Sequence, residues 1–572
     1  MRLNIVKSKN AEQLYIIKSI RKDGKSTTRI MKKLGTMASL LPKFDYDRDR
    51  VIAWAKNEAS NLTALENEGK VSVDVSFNEL NQLDMGHRLC FNIGYLFVDF
   101  LFYELGLDMI CNDISKIYKF EYSLSDVLRM LVATRIIEPS SKLSSYDYAF
   151  NFLEEPSFEL QHVYRSLDVF SKHSDEIQAL VYANSDGLID RNKEVLFYDC
   201  TNYFFEIDNP HGFAQYGKSK EHRPNPIVHM GLFLDGNGLP LCFSIFDGNK
   251  NEQPSLKPLE KKILKDFGLS KFIVCTDAGL ASYENRKFNS ISDRSFIVTQ
   301  SLKTLKDFLL KWALDPNGWQ RPGSNKIYNI NNIDEEEYED TIFFKQRWIN
   351  ENGLEQRLIV SYSIKQRDYQ RSIREKQVDR ARKIISSPSK MKERNQNSPK
   401  RFIDETSITN DGEICDKKIL KLNEDKISKE EMFDGFYAVC TNLEKDTEEI
   451  IQINKMRWQI ESSFRTMKSE FKTRPVYLRN DNRIEAHFLT CFLSLLILKL
   501  IKRKTKDKHT EEEILTTLKT MNVHKLRDLG YLASYTRTEI TDDLHQAFGF
   551  RTDKEFISEK SMKKILKKIK KG

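Results

Sequence analysis

Two aspartates occupy positions in the sequence where a charged side chain is unexpected. Asp199 lies within the apolar run Val195 to Phe205 (VLFYDCTNYFF), which has the composition of a β-strand. Asp277 comes just after a shorter apolar run, Phe272 to Cys275 (FIVC). A carboxylate in or beside a buried strand is costly unless it is paired or bound to a cation. The two positions therefore predict a functional site; the alternative is that each residue only caps a turn or a helix.

A third candidate carboxylate, Glu461, lies in a segment with helical periodicity (NKMRWQIESSFRTMKSEF). At about 100° per residue, Arg457, Glu461 and Lys468 fall within about 40° of one another on the helix surface. They border an apolar stripe made of Ile460, Phe464, Met467 and Phe471. A helix that follows the last core strand would bring Glu461 beside the strand ends. The alternative is an ordinary Arg/Glu ion pair at i, i+4 spacing.

Three carboxylates without a set of Cys or His ligands indicate a site for Mg²⁺ or Mn²⁺ and not for zinc. We expect two such ions, about 3.5 to 4 Å apart, which activate an attacking oxygen and stabilise a leaving one in phosphodiester chemistry. Arg457 and Lys468 would hold the flanking phosphates of a DNA strand. Asp199, Asp277 and Glu461 are thus predicted to be both metal ligands and catalytic residues.

The elements that must position these residues have an α/β pattern. Three β-rich runs predict an antiparallel meander, and two short apolar strands that alternate with helices follow it. The alternation stops for about 130 residues and resumes with a strand at 435–441 and a long helix at 447–472. An interruption of that length predicts an inserted, β-rich and basic subdomain. The five strands before it are predicted at 195–205, 227–234, 239–246, 272–275 and 296–299.

The positive charge of the chain is localised. The 572 residues carry a formal net charge of +8, yet residues 365–401 alone hold thirteen Lys or Arg and four acids, a net of +9. If residues 364–385 form a helix, Arg367, Arg371 and Arg374 lie on one face and would follow a phosphate backbone. Residues 560–571 add seven Lys and no acid. The alternative for each basic block is a solvated surface.

Length and composition exclude a peptide hormone, a disulfide miniprotein, a collagen-like chain and a globally disordered protein. The eight cysteines are scattered, without CxxC pairs or histidines at zinc-finger spacing, which predicts reduced thiols in a cytoplasmic protein. The N-terminus has no secretory signal pattern. The most apolar run, 488–501, is too short to span a bilayer and is predicted to form a buried core helix.

The order of these features resembles the DDE transposases of bacterial insertion sequences. The shared features are an Asp on the first strand, an Asp after the fourth, a strand-rich insertion, and a Glu on the next helix. That helix also resembles the family signature Tyr-x2-Arg-x3-Glu-x6-Lys, with Asn454 in place of the Tyr. The resemblance extends over residues 190–500 and implies an α/β fold: an RNase H-like mixed sheet flanked by helices, with a large β-rich insertion and a mainly helical N-terminal region.

The resemblance also implies a function. Such an enzyme binds the terminal inverted repeats of its own element on double-stranded DNA, cuts the ends to free 3′-hydroxyls, and joins them to target DNA. Acting on two ends implies a homodimer on DNA, associated with the nucleoid in a bacterial cytoplasm. In the basic stretch GKSKEHRPNP (217–226), Lys220 and Arg223 are implied DNA contacts. Two alternatives remain open: a transposase-derived DNA-binding protein that no longer cleaves, and an RNase H-like DNA nuclease.

The predicted organisation has six segments. An N-terminal segment with a strand pair and a helix precedes a helical region that is a candidate for DNA contact. The catalytic core comes in two parts on either side of the insertion, and a basic helical tail ends the chain. The boundaries are 1–85, 86–190, 191–300, 301–430, 431–505 and 506–572.

Overall fold

A computed structural model describes residues 1–8, 11–22, 25–68, 70, 72–75, 79–80, 82, 85–386, 398–406 and 419–571. Within it the chain forms two compact units, Met1–His87 and Arg88–Gly572.

The first unit is a three-stranded antiparallel sheet with one long helix, where the sequence predicted a strand pair and a helix. Leu14 of the sheet and Val51 and Ala55 of the helix form its small core. The helix begins after Asp47, whose carboxylate accepts hydrogen bonds from the first backbone amides, as a helix N-cap does. The elements are β1 (Arg2–Ser8), β2 (Ala11–Lys22), β3 (Lys25–Thr36), α1 (Met37–Leu40) and α2 (Arg48–Asn67).

The second unit opens with a short strand and a set of helices, as predicted for this part of the chain. Ser123 caps α5 by accepting a hydrogen bond from the Asp126 amide. Nearly every residue of α5 is buried, so this helix has no free face for a DNA groove. The elements are β4 (Cys90–Asn92), α3 (Tyr95–Glu104), α4 (Leu107–Ile117), α5 (Leu124–Ile137), α6 (Lys142–Ala149), α7 (Leu160–Lys172) and α8 (Ser174–Leu188).

The predicted meander and the two strands after it form one half of a ten-stranded mixed sheet, with the third meander strand, β7 (Pro240–Asp247), at the edge. The antiparallel strands come first in sequence, and the next two strands pair in parallel on the other side of the first one. The spatial order 3-2-1-4-5 of these five strands is the RNase H-like arrangement. The elements are β5 (Val195–Phe204), β6 (Ile227–Asp235), β7 (Pro240–Asp247), α9 (Leu256–Asp266), β8 (Ile273–Thr276), α10 (Tyr283–Phe288) and β9 (Ser295–Thr299).

The insertion extends this sheet instead of forming a separate sheet. The strand that follows the insertion, β16 (Phe436–Thr441), pairs with β9 on one side and with an insertion strand, β13, on the other. The predicted helix at 364–385 is confirmed as α12, while residues 387–397 of the basic block 365–401 lie outside the described residues. The insertion contains α11 (Asp307–Leu314), β10 (Trp319–Arg321), β11 (Ser324–Tyr328), β12 (Ile342–Glu351), β13 (Leu354–Ser363), α12 (Ile364–Ser386), β14 (Ile403–Thr406), β15 (Ile419–Leu422) and α13 (Glu424–Glu431).

The long helix predicted after β16 is broken into pieces. It comprises α14 (Thr447–Lys455), α15 (Trp458–Arg465) and a π-helical turn (Thr466–Glu470). The next helix, α16 (Asp481–Lys504), is the one helix among the described residues long and apolar enough to cross a membrane. Because 89% of its most apolar stretch is buried inside the protein, it is the core helix that the sequence predicted.

The C-terminal region is a folded part of the second unit, where the sequence predicted a helical tail. Three of its short strands join β4 in a four-stranded sheet, and Phe548 and Phe550 stack around Phe97 of α3. Burial of these aromatic side chains ties the region to the core. The elements are α17 (Glu511–Thr520), β17 (Asn522–Leu526), β18 (Gly530–Ala533), α18 (Glu539–Phe548), β19 (Ile557–Ser558) and α19 (Glu559–Ile569).

Candidate active site

The sheet brings the two candidate aspartates together. Strands β5 and β8 are parallel neighbours, and the last of their paired residues are Phe197 and Cys275. Asp199 lies two residues further along β5, and Asp277 is the first residue after β8, where its negative charge acts on the Asp199 carboxyl. Neighbouring strands lie about 4.8 Å apart, so the two carboxylates are adjacent. Asp277 also caps a short turn, since the Leu280 amide donates to its Oδ1 at 3.1 Å, so the capping and site interpretations both apply to it.

The environment of the Asp199 carboxylate favours binding of a cation. Burial raises its pKa to about 6, and the negative charge of Asp277 adds to the rise, against the opposing pull of Lys220, the Cys200 amide and Arg457. The Cys200 amide donates to its Oδ1 at 2.7 Å. Two adjacent carboxylates that carry few hydrogen-bond donors fit the oxygen ligand set of a hard divalent cation.

The helix α15 lies across β5 and carries the third carboxylate. Its apolar side is buried, with Ile460 and Met467 in the core, and the Tyr203 hydroxyl donates to the Met467 sulfur at 3.8 Å. Arg457 donates to Thr299 at the end of β9, at 2.9 Å. Lys468 donates to Thr201 of β5, at 2.6 Å. Arg457 and Lys468 thus both reach the sheet from this helical segment.

In sequence, Glu461 lies between Arg457 and Lys468. Their partners Thr299 and Thr201 belong to β9 and β5. The strand between those two is β8, which Asp277 follows. The Glu461 side chain itself is exposed. Among the residues that the structure describes, no group of three or more His, Cys, Asp or Glu side chains is close enough together to hold a metal ion. The structure therefore joins Asp199 with Asp277 and leaves Glu461 at the open side of the site.

A basic cluster on the other side of Asp199 includes residues that the sequence did not single out. Lys220 donates to the Cys200 carbonyl and lies 3.3 Å from Glu252, which also lies 3.5 Å from His229. Burial alone would lower the pKa of Lys220. The negative charges of Asp199 and Glu252 have the larger combined effect, so the pKa is raised. Glu252 follows a polar turn without a periodic pattern of apolar residues, so the sequence did not indicate a role for it.

Asn454 occupies the position at which the family signature has Tyr. The Asn454 amide donates to the hydroxyl of Tyr437 at 3.1 Å, and that hydroxyl lies 2.6 Å from Thr299, the residue that also binds Arg457. Tyr437, on β16, thus presents a phenol beside Asn454. Asn454, Tyr437 and Arg457 border a cavity of about 440 Å³ that Trp458 and Glu461 also line.

Comparison with known protein families agrees with this geometry. The family described as "Transposase DDE domain" matches residues 203–497, just over half of the chain. The chain belongs to the transposase DDE-domain family. The matched segment contains Asp277 and Glu461 and begins four residues after Asp199.

Other comparisons contribute little. No curated protein sequence matches the chain. A solved structure with some similarity is the cryo-EM structure of the piggyBac transposase synaptic complex with hairpin DNA, at 8% sequence identity and a TM-score of 0.35, with 75% of this chain and 78% of that chain covered. A likeness of that size does not bear on the fold or on the site.

In this DDE-family chain, acidic residues neutralise much of the basic face predicted on α12, which consists of Arg367, Arg371 and Arg374. Arg374 is buried and donates two hydrogen bonds to Asp434, each at 2.6 Å, so it is not available to a phosphate. Arg367 donates to Glu335 at 2.8 Å and to Asp368 at 2.7 Å. Arg371 is 52% exposed and lies 3.8 Å from Asp434, which leaves it the freest cation of the three.

The predicted DNA contacts in the loop after β5 are accompanied by an acidic residue. Arg223 is half exposed, stacks over Phe204 at 4.1 Å and lies 3.6 Å from Glu221. Glu221 also lies 3.9 Å from Lys468 and forms an ion pair with Arg474. Burial and the like charge of Lys220 lower the pKa of Lys468 to about 8. These cations cluster around the site, as a surface that binds a phosphate backbone requires.

Proposed function

We propose that this transposase-family protein binds the terminal inverted repeats of an insertion sequence, cleaves the DNA strands at the ends, and transfers them to target DNA. The observation that carries the proposal is the placement of Asp199 beside Asp277 on adjacent parallel strands of an RNase H-like sheet. Glu461, on the helix after the last core strand, completes the set of residues. We further propose that the protein acts as a homodimer on double-stranded DNA in a bacterial cytoplasm, associated with the nucleoid.

Asp199, Asp277 and Glu461 are the residues that would hold two Mg²⁺ or Mn²⁺ ions. When bound, such ions supply activation of the attacking oxygen and stabilisation of the leaving one. The protein itself binds and orients the DNA strand. Arg457 at the start of α15 and Lys468 on the π-helical turn after it, which lie on either side of Glu461 in sequence, are placed to hold the phosphates that flank the reacting one.

The surrounding cations extend this binding surface. Lys220 and Arg223 reach it from the loop between β5 and β6, and Arg371 contributes from α12. Arg367 contributes only if DNA displaces Glu335 and Asp368, and Arg374 takes no part because its partner Asp434 is buried with it. Tyr437 positions Arg457 through their shared partner Thr299.

One observation favours the alternative of a DNA-binding protein that does not cleave. Glu461 is exposed and belongs to no three-carboxylate group among the described residues. Under the main proposal, DNA and the metal ions draw Glu461 toward the two aspartates. Under the alternative, the protein binds the DNA ends but cuts none of them.

Cleavage of DNA that carries the element's own ends separates these functions. The wild type should nick such a duplex when Mg²⁺ or Mn²⁺ is added and not when EDTA is present, and Asp199→Asn or Glu461→Gln should abolish nicking. Glu448→Gln is the matched control, because Glu448 is an exposed acid on α14, one helix away, and it should leave the rate unchanged. Binding without cleavage by the wild type would instead support the alternative.

A further inference from the structure

The N-terminal unit lies outside the family match and carries an unusual concentration of positive charge. Residues 1–36, the part of the sequence that includes β1, β2 and β3, contain ten Lys or Arg and two acids, a net charge of +8 that equals the net charge of the whole chain. Residues 37–87 contain five Lys or Arg and nine acids, a net of −4. Positive charge is thus concentrated in one small sheet.

The pairing register separates the two faces of this sheet. Leu3 pairs with Ile16 and Ile5 pairs with Leu14, and the core around Leu14 packs on α2, so these residues define the helix side. Residues that alternate with them face away from α2. This outer face is mixed in character and about half exposed, with Ile17 buried at 5% exposure, and its residues include Arg2, Asn4, Val6, Gln13, Tyr15, Ile17, Ser19, Thr28, Ile30 and Lys33.

The acids of the unit neutralise the cations of the helix side only. Glu12 pairs with Lys7 at 3.1 Å and with Arg48 at 3.2 Å. From α2, Glu58 pairs with Lys32 at 2.7 Å, and Glu66 pairs with Lys18. Each of these contacts lies on the side of the sheet that α2 covers.

On the outer face, Arg2 and Lys33 are exposed, and no described acid forms an ion pair with either of them. The described part of the outer face carries no Asp or Glu at all. Its charge is therefore left for a partner.

We propose that this outer face binds double-stranded DNA. The inference rests on the proposed function and deepens it, because it assigns a DNA-binding surface to the N-terminal unit, which lies outside the family match. Two neighbouring strands of the sheet, about 4.8 Å apart, fit the major groove of DNA, which is about 12 Å wide and admits a two-stranded β-ribbon. Strands of twelve residues, such as β2 and β3, are about 40 Å long, or roughly one turn of duplex.

The side chains match this partner. Arg2 and Lys33 are placed to hold phosphates, while Asn4 and Gln13 carry both donors and acceptors for base edges. Exposed Val6 and Ile30 supply apolar contacts of the kind that thymine methyl groups make. An anionic membrane would also attract the charge, but a face rich in Asn, Gln, Ser and Thr suits a hydrogen-bonding partner better than lipid.

Two adjacent lysines on β3 provide a matched test. Lys33→Gln and Lys32→Gln remove the same charge one residue apart on opposite faces of the same strand. The affinity of the full-length protein for a mixed-sequence duplex of about 30 base pairs is measured between about 50 and 200 mM salt. The slope of log affinity against log salt should flatten by about 0.9 for Lys33→Gln and by about 1.8 for Arg2→Gln/Lys33→Gln. Lys32→Gln should keep the wild-type slope, with thermal unfolding midpoints checking that all variants fold.

Two results would overturn the inference. One is a wild-type slope for both Lys33→Gln and the double variant. The other is loss of binding to phosphatidylserine vesicles by these variants while their DNA slope stays at the wild-type value, which would identify a membrane surface. Cleavage of end DNA with Mg²⁺ is measured on the same preparations. Wild-type cleavage with unchanged slopes refutes only this inference, whereas flattened slopes without any cleavage refute only the proposed catalytic function.

Discussion

Replacing Arg374 with Ala should destabilise the region around α12, whereas replacing Arg371 with Ala should weaken DNA binding. The two residues lie one turn apart on the same helix and lose the same charge. Arg374 and Asp434 are 8% and 6% exposed and share two hydrogen bonds of 2.6 Å. Arg371 is 52% exposed and only 3.8 Å from Asp434. The contrast between the two variants therefore measures burial and not charge.

The magnitude follows from what each variant leaves behind. Removing one partner of a buried ion pair costs about 3 to 5 kcal/mol, because the other charge stays buried without a partner. The pair borders a cavity of about 610 Å³ through which water can reach Asp434, so we expect the lower end, about 3 kcal/mol. Loss of the exposed Arg371 should cost less than about 1 kcal/mol.

Hydrogen exchange along α12 and the salt dependence of DNA affinity distinguish the two effects. Arg374→Ala should reduce exchange protection in residues 364–386 and keep the wild-type salt slope. Arg371→Ala should keep the protection and flatten the slope by about 0.9. As a control, Arg374→Met combined with Asp434→Leu should recover much of the lost protection, because no buried charge is left unpaired. Full protection together with a flattened slope in Arg374→Ala would refute the buried-pair interpretation.

Three further predictions concern the core and the site. Burial raises the pKa of Glu260 to about 8, so the stability that its protonated form contributes is full below the unfolded-state pKa near 4.5 and is lost as pH rises toward 8. The unfolding midpoint of Glu260→Gln should therefore rise relative to that of the wild type as pH increases from about 4.5 to about 8. A difference between the two midpoints that stays constant over this range would contradict the prediction. Gly231→Ala should lower stability by about 1 to 3 kcal/mol in denaturant titration, since the new methyl group would clash with the hydroxyl of Tyr198 on the neighbouring strand, and an unchanged midpoint would count against this packing. Tyr437→Phe should slow DNA cleavage several-fold without changing the unfolding midpoint, because Thr299 and Asn454 lose a shared partner beside Arg457; an unchanged rate would show that the phenol has no positioning role.

Much of the catalytic core was predictable because its signals are local. The strand around Asp199 is almost wholly apolar, so one charged residue in it stands out, and Asp277 directly follows a second apolar strand. The apolar stripe of α15 likewise placed Glu461 at a helix edge. These patterns depend only on neighbouring residues, which is why composition and periodicity identified them.

The remaining features depend on contacts between distant segments. Arg374 looked like a member of an exposed basic face, but its partner Asp434 lies sixty residues away in sequence. The strand pair predicted near the N-terminus corresponds to β2 and β3, and the sequence missed β1 (RLNIVKS), whose place in the sheet depends on its pairing with β2. The insertion strands gave no sign that they continue the core sheet, since strand pairing with β16 is a tertiary feature. Nothing in the sequence distinguishes the π-helical turn that carries Lys468 from the α-helix before it.

Localisation of Mn²⁺ in the protein bound to its end DNA tests the central claim most directly. Anomalous scattering at the manganese edge should place the metal between the carboxylates of Asp199 and Asp277, with the Glu461 carboxylate as a further ligand. Glu461→Gln, prepared in the same way, should weaken or shift that signal, while Glu448→Gln should leave it in place. Manganese bound elsewhere, or a Glu461 carboxylate more than about 10 Å from an occupied site in an ordered core, would contradict the assignment of these three residues.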